Sequence, residues 1–313
     1  MSGSWRWVTD GGLETDLIFH RGVELRELAA YPLVRSPDGR DLLRAYYEGY
    51  AEIAETVGAG LRLEAPTWRA NPDWAARLGD GSAALDAVNR AAVEQLRELA
   101  GEWSGRVEDT TVAGIVGPRG DGYARGEAAT AEEAAEYHAP QVAAFAAAGA
   151  DEVVAMTIAG AAEALGIAWA AESAGVPAVI SFTVETDGRL ADGSALAEAV
   201  RTVDRGGRPA YFMVSCAHPA HVLPAVAGGG DWLERIRGMR CNASTLSHAE
   251  LDEAETLDEG DLGLLVSAHR QLEQLLPALE VVGGCCGTDA RHVAALWGLG
   301  LSAAGRTGTT RGG

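Results

Sequence analysis

Glu152-Val-Val-Ala-Met156 and Ala178-Val-Ile-Ser-Phe182 are two short apolar runs, and Gly175 ends the helical stretch between them shortly before the second run begins. A strand, a helix and a second strand in that order form a βα unit. The same alternation extends outward to both ends of the chain. Candidate strands lie at Trp5–Thr9, Leu61–Glu64, Thr111–Ile115, Glu152–Met156, Ala178–Phe182, Tyr211–Ser215, Met239–Cys241 and Leu279–Val282. The runs at Leu61 and Met239 are the weakest, because Arg62 and Arg240 interrupt them.

The intervening stretches carry helix signals. Asp41–Val57 places Leu42, Leu43, Tyr46, Tyr50, Ile53 and Ala54 at helical spacing. Thr130-Ala-Glu-Glu133 is a capping box that opens a helix towards Ala148, with Pro140 expected to bend it and Gly149 to stop it. Gly58 marks another helix end ahead of a strand. Repeated βα units predict a parallel sheet, and eight of them favour closure. An open dinucleotide-binding sheet would carry a G-x-G-x-x-G turn after its first strand, and Asp10-Gly-Gly-Leu-Glu-Thr15 does not fit that pattern. The expected fold is therefore α/β: a (β/α)8 TIM barrel in a single domain over residues 1–304. The Gly/Thr/Arg-rich tail, 305–313, is expected to be disordered.

With 313 residues the chain matches one barrel of about 250 residues plus insertions. Its 45 acidic against 25 basic side chains give a net charge of -20, and no basic run stands out. A nucleic-acid partner is not expected of such a surface. No stretch is apolar enough for a membrane span, and the first residues have no apolar signal core, so the expected location is cytoplasmic. In that compartment the four cysteines read as thiols or ligands rather than disulfides. The sequence contains no lysine, which excludes a Schiff-base lysine, an internal aldimine and a phosphate-loop lysine. A homo-oligomer is compatible with the sequence.

Barrel chemistry sits at the C-terminal ends of strands. Two of those ends carry cysteine: Ser215-Cys216-Ala-His-Pro219 after strand six and Gly283-Gly-Cys-Cys-Gly-Thr-Asp289 after strand eight. Adjacent strand residues face opposite ways, so Cys285 and Cys286 can share one ligand only where the backbone departs from the pleat; Gly283, Gly284 and Gly287 supply that freedom. Three thiolates with one open position would make a catalytic zinc site. Such a metal is a poor Lewis acid for water but lowers the pKa of an added thiol. The alternative reading of any one of these cysteines is a small buried apolar residue, and Cys241 is read that way.

These motifs identify the chain as resembling the homocysteine S-methyltransferases, over nearly its whole length. The resemblance is carried by Asp10-Gly11-Gly12, by Val112-Ala-Gly-Ile-Val-Gly-Pro118, by Ser215-Cys216 and above all by Gly283-Gly-Cys-Cys-Gly-Thr288. It implies Zn²⁺ on Cys216, Cys285 and Cys286. It also implies transfer of a methyl group from a sulfonium or quaternary ammonium donor to a zinc-bound thiol, homocysteine giving methionine. The partners are then small molecules, the thiol and the methyl donor. Asp10 matches the family acid that holds the substrate amine, and turn capping before Gly11-Gly12 is the other use for it. The family usually places a glutamate before the threonine at the end of strand four. This chain has Met156 there, followed by Thr157. Glu64 would supply the missing charge or meet a cationic donor, or stand as a solvated strand-end acid. Trp68 matches an aromatic near the donor, where an indole face attracts a cation, or it packs. The Gly11 and Gly12 amides, or Asn242, would bind a substrate carboxylate. His218 and His221 read as support around Cys216 rather than as metal ligands. Other readings of the same motifs are a different thiol acceptor, a demethylase of methylated amines and a non-catalytic zinc–thiolate sensor.

Overall fold

A computed structural model describes residues 6–120, 122, 129–254 and 256–300. Strands β1 (Trp7–Val8), β2 (Gly60–Glu64), β3 (Thr110–Val116), β4 (Glu152–Ile158), β5 (Ala178–Phe182), β6 (Tyr211–Ala217), β7 (Ile236–Cys241) and β8 (Val281–Gly284) pair in parallel, in sequence order, and close into a barrel. The expected (β/α)8 architecture is the observed one. The expected tail, 305–313, falls outside the described residues. Among the described residues no helix is long and apolar enough to cross a membrane.

Helices follow the strands in turn: α1 (Pro37–Val57), α2 (Ser82–Glu102), α3 (Ala131–Ala147), α4 (Ala161–Ala174), α5 (Leu196–Gly207), α6 (Pro219–Val226), α7 (Leu262–Leu275) and α8 (Ala290–Leu296). The local signals act as read. Thr130 accepts from the Glu133 N–H while the Glu133 carboxylate accepts from the Thr130 N–H, and α3 starts there. Gly58 and Gly175 end α1 and α4 in the left-handed conformation, at φ 64° and 71°.

Alternation along the strands sorts side chains between two cores. Outward residues such as Leu61, Leu63, Val112, Val153, Phe212 and Met239 pack beneath the helices. Inward residues Ala113, Ile115, Val154, Met156, Val179, Met213 and Val281 fill the barrel. Arg62, Glu64 and Arg240 occupy inward positions too, which is why β2 and β7 read weakly as strands. The Arg62 guanidinium donates to Glu64 Oε1 at 2.6 Å, to the Tyr211 hydroxyl at 2.9 Å and to Glu152 at 3.4 Å. Both Arg62 and Glu64 are buried almost completely, with side chains 1% and 2% exposed. Burial raises the Glu152 carboxyl above its ordinary value, and the Arg62 charge opposes that rise.

Removing one partner from such a cluster leaves buried charge without compensation. Arg62→Leu is expected to lower the free energy of unfolding by about 3–5 kcal/mol in urea titrations. A loss below about 1 kcal/mol would mean that the orphaned carboxylates take up protons instead. A second prediction concerns acid. His269 lies on the buried face of α7, and burial lowers its pKa from 6.5 to about 4. Below pH 6.5 the unfolded chain binds a proton that the folded chain refuses until about pH 4. Stability therefore falls as the pH falls through that window, by up to about 3 kcal/mol for this group. His269→Leu should flatten that part of the stability–pH curve.

Candidate active site

The mouth of the barrel holds a cavity where the ends of β1, β2, β4, β6, β7 and β8 converge. Asp10, Gly11, Gly12, Glu64, Trp68, Thr157, Cys216, Cys285 and Cys286 all line it, together with Glu14, Met156 and Arg240. Of the residues singled out from sequence, Asn242 is not part of this lining; its amide instead donates to the Cys216 carbonyl at 3.1 Å.

Cys216 reaches the cavity through a break in β6. The β6–β7 register shifts between Ser215 and Ala217, and Cys216 takes φ 55°. The left-handed conformation is strained for a residue with a Cβ and needs outside support. The Cys216 carbonyl accepts from His248 Nε2 at 2.6 Å, from the Asn242 amide at 3.1 Å and from the Thr183 hydroxyl at 3.3 Å. Glu185 Oε1 lies 2.9 Å from His248 Nδ1 and fixes the ring. Thr157, at the irregular end of β4, repeats the device with φ 63°, and its hydroxyl lies 3.0 Å from Cys216 Sγ.

β8 ends at Gly284, so Cys285 and Cys286 stand in the turn beyond it. The flanking glycines serve two needs. Gly287 has φ 76°, as a reversal of chain direction requires. Gly283 is small for lack of room: a Cβ there would sit 2.8 Å from the Asp10 carbonyl oxygen. Backbone freedom, expected of all three glycines, thus belongs to Gly287, while Gly283 is required by close packing. The three sulfurs of Cys216, Cys285 and Cys286 lie within 4.8 Å of one another. Cys216 and Cys285 have Cα atoms 5.4 Å apart and bring their sulfurs together, so that both side chains aim at the same point. Cys241 is fully buried on the outer face of β7, and burial pushes its thiol well up, consistent with a packing role.

The histidines stand aside from the sulfurs. His218 Nδ1 accepts from the Ala220 N–H and caps α6; burial, then the nearby His221, lowers its pKa to about 4. His221 Nε2 lies 3.1 Å from the Thr245 carbonyl oxygen.

The charged lining is mostly paired. Arg240 bonds Asp10 Oδ1 at 2.5 Å, the Gly11 carbonyl at 2.7 Å, the Gly284 carbonyl at 2.7 Å and the Glu64 carboxylate. Glu64, read from sequence as a charge open to a substrate, is therefore clamped between Arg62 and Arg240. Burial raises the Asp10 carboxyl, and the Arg240 charge opposes that shift. The Gly12 N–H donates to the Thr288 carbonyl at 3.0 Å, so it is not open to an anion as the sequence suggested. The Trp68 indole bounds the cavity, with the Arg69 guanidinium 5.0 Å from its ring centroid.

The family pattern of homocysteine S-methyltransferases matches residues 7–298. The chain belongs to that family. It is a methyltransferase, on a barrel that matches the fold of homocysteine methyltransferase MmuM from Escherichia coli. The metallated form of that protein shares 21% identity at a TM-score of 0.71, covering 95% of this chain and 96% of the other. Its oxidized form gives 20% identity and a TM-score of 0.72, with 94% and 95% covered. No curated protein matches the chain. Sequence reasoning missed Arg240, Glu14, Glu185 and His248. Arg240 had one signal, a charge inside a strand that otherwise reads as buried; the others lie in loops and helical turns without distinctive spacing.

His248→Ala removes the shortest of the bonds to the Cys216 carbonyl. The expected cost is about 1–3 kcal/mol of stability, as for other buried acceptors left short of a donor. Denaturant unfolding of His248→Ala beside Asn242→Ala checks it. Equal and negligible losses would show that the strained turn holds itself.

Proposed function

We propose that Cys216, Cys285 and Cys286 hold a zinc ion and that the enzyme transfers a methyl group from a sulfonium or quaternary ammonium donor to homocysteine, giving methionine. The observation that carries this reading is the meeting of three sulfurs, from two stretches of chain, at the edge of one cavity. Their chemistry fits the metal. Three sulfur donors suit zinc, and Cys286, half-buried, borders the cavity with Cys216 and Cys285. When bound, zinc would lower the pKa of an incoming thiol and so supply a thiolate nucleophile.

The chain's own residues supply position. His248, Asn242 and Thr183 fix the Cys216 backbone, and Glu185 fixes His248. The Thr157 hydroxyl steadies negative charge on the Cys216 sulfur. Across the mouth, Trp68, Ile115 and Met156 form an apolar wall that sheds water and accepts a methyl group with its cationic carrier. Asp10 and Gly11 border the space for the amino-acid end of the acceptor. Alignment of nucleophile and methyl carbon is the main work of such a site, because displacement at a methyl group needs no further proton transfer once the thiol has ionised. The cysteines must stay reduced, which fits a cytoplasmic setting.

The test is direct. Purified protein, reduced and loaded with zinc, is mixed with homocysteine and with S-methylmethionine, S-adenosylmethionine or betaine, and methionine is measured. One donor at least should yield methionine, and Cys286→Ala should abolish the reaction. Its zinc affinity should fall more than about 100-fold, beyond what loss of a supporting hydrogen bond brings. If no donor yields methionine while zinc stays bound, homocysteine is not the acceptor.

A further inference from the structure

The carboxylates around the cavity are unequal. Glu64 is held by two arginines, and Asp10 lies 2.5 Å from Arg240. Arg240 places its Nε–H and both terminal nitrogens on protein acceptors, so it has no spare group with which to exchange partners. Glu14 differs. It lines the same cavity, is half-buried, and its carboxylate is met by its own backbone N–H but by no ion-pair partner among the described residues.

Its place in the fold is fixed from both sides. Glu14 sits in the one-turn helix Leu13–Thr15 that follows Gly12. The Gly12 N–H donates to the Thr288 carbonyl at 3.0 Å, and the Gly287 N–H donates to the Thr15 hydroxyl at 3.2 Å. The turn is thereby stitched to the loop that carries Cys285 and Cys286. Of the carboxylates that line the cavity with the sulfurs, Glu14 is the one without an arginine partner, and the wall of Trp68, Ile115 and Met156 carries no carboxylate.

We infer that Glu14 is the specificity-determining carboxylate of this enzyme and that it receives the ammonium group of the thiol acceptor. The inference rests on the acceptor reading above and adds to it the residue that selects a thiol with an amine. A charged partner in a cavity of low polarity forms a strong, charge-assisted hydrogen bond. The chain itself leaves this carboxyl short of positive charge: burial first, and then the charge of Asp10, raise it to about 7. An ammonium supplies the missing counter-charge, and a neutral group in its place would leave the carboxylate desolvated without return.

The experiment compares two thiols, L-homocysteine and 4-mercaptobutanoate, which keeps the chain and carboxylate of homocysteine but lacks the amine. Binding to the zinc-loaded wild-type protein and to Glu14→Gln is measured by calorimetry, beside zinc content and unfolding midpoint. Glu14→Gln should weaken homocysteine binding by about tenfold or more, leave 4-mercaptobutanoate unchanged, and alter neither zinc content nor midpoint. Glu14→Asp, which keeps the charge at shorter reach, should fall between. Glu64→Gln should lower the midpoint without distinguishing the two thiols. The inference is overturned if Glu14→Gln binds homocysteine as the wild type does, if it weakens both thiols alike, or if it changes only the KM of the methyl donor. Wild-type protein that binds neither thiol would overturn the acceptor reading itself, and this inference with it.

Discussion

Arg240 closes the barrel. β1 is two residues long and pairs through only Trp7 and Val8, with Gly60 and Leu61 on one side and Val281 and Val282 on the other. Backbone pairing is thinnest where the ring must shut. From β7 the guanidinium reaches the Gly284 carbonyl at the end of β8, the Gly11 carbonyl and Asp10 after β1, and Glu64 at the end of β2. One planar fork therefore ties four strand ends at the level of the cavity. Lysine offers a single nitrogen on a flexible stem and cannot spread donors over partners in this way. The arginines of this lysine-free chain act here as geometry as much as charge.

A charge buried this deeply must be balanced locally or it costs more than it contributes. Arg62 and Arg240 face Asp10, Glu64 and Glu152, and the Tyr211 hydroxyl completes the set. A paired polar network thus runs inside the barrel from Glu152 and Tyr211, at the starts of β4 and β6, up to the cavity lined by Asp10, Glu64 and Arg240. Charges already matched within this network have little left to offer a ligand, so the rest of the lining carries more of its recognition. The sulfurs obey the same division. Cys216 owes its direction to a strained backbone and to three donors on its own carbonyl, none of which borders the cavity. Support and reactive surface are separate, and the support is rigid.

Much of this could be read from the chain. The apolar runs placed each strand to within a few residues, and capping box and glycine stops placed helix ends, because those signals act over a few neighbouring residues. The two weak strands, β2 and β7, were weak for an informative reason: Arg62 and Arg240 face inward, and an alternation that counts charge as surface misreads a paired interior. The cysteines were legible because the Gly-Gly-Cys-Cys-Gly-Thr run at 283–288 is rare and local. Glu64 was legible as an acid at a strand end but not as a clamped one, since its partner Arg240 lies far along the sequence. Glu185 and His248 were invisible for the same reason, as 63 residues separate two groups that meet at 2.9 Å. The role of Gly283 also depended on contact: only the fold shows that Asp10 leaves it no room.

The order of events in the fold follows from these dependencies. The cavity exists only once β8 and β1 have met, because its sulfur-bearing loop is held by Gly12, Thr15 and Asp10 on the β1 side. That junction joins the two ends of the chain, the contact of greatest sequence separation and so the costliest in loop entropy. Cys216, in contrast, is set by strands β4 to β7, whose contacts are nearer in sequence. Half of the sulfur site is therefore built into the middle of the barrel and half into its seam. The loop of Cys285 and Cys286 is also held from β7, where the Cys285 N–H donates to the Cys241 carbonyl at 2.7 Å and the Ala243 N–H donates to the Cys286 carbonyl at 3.1 Å, so the two halves of the sulfur site share β7 as a common edge.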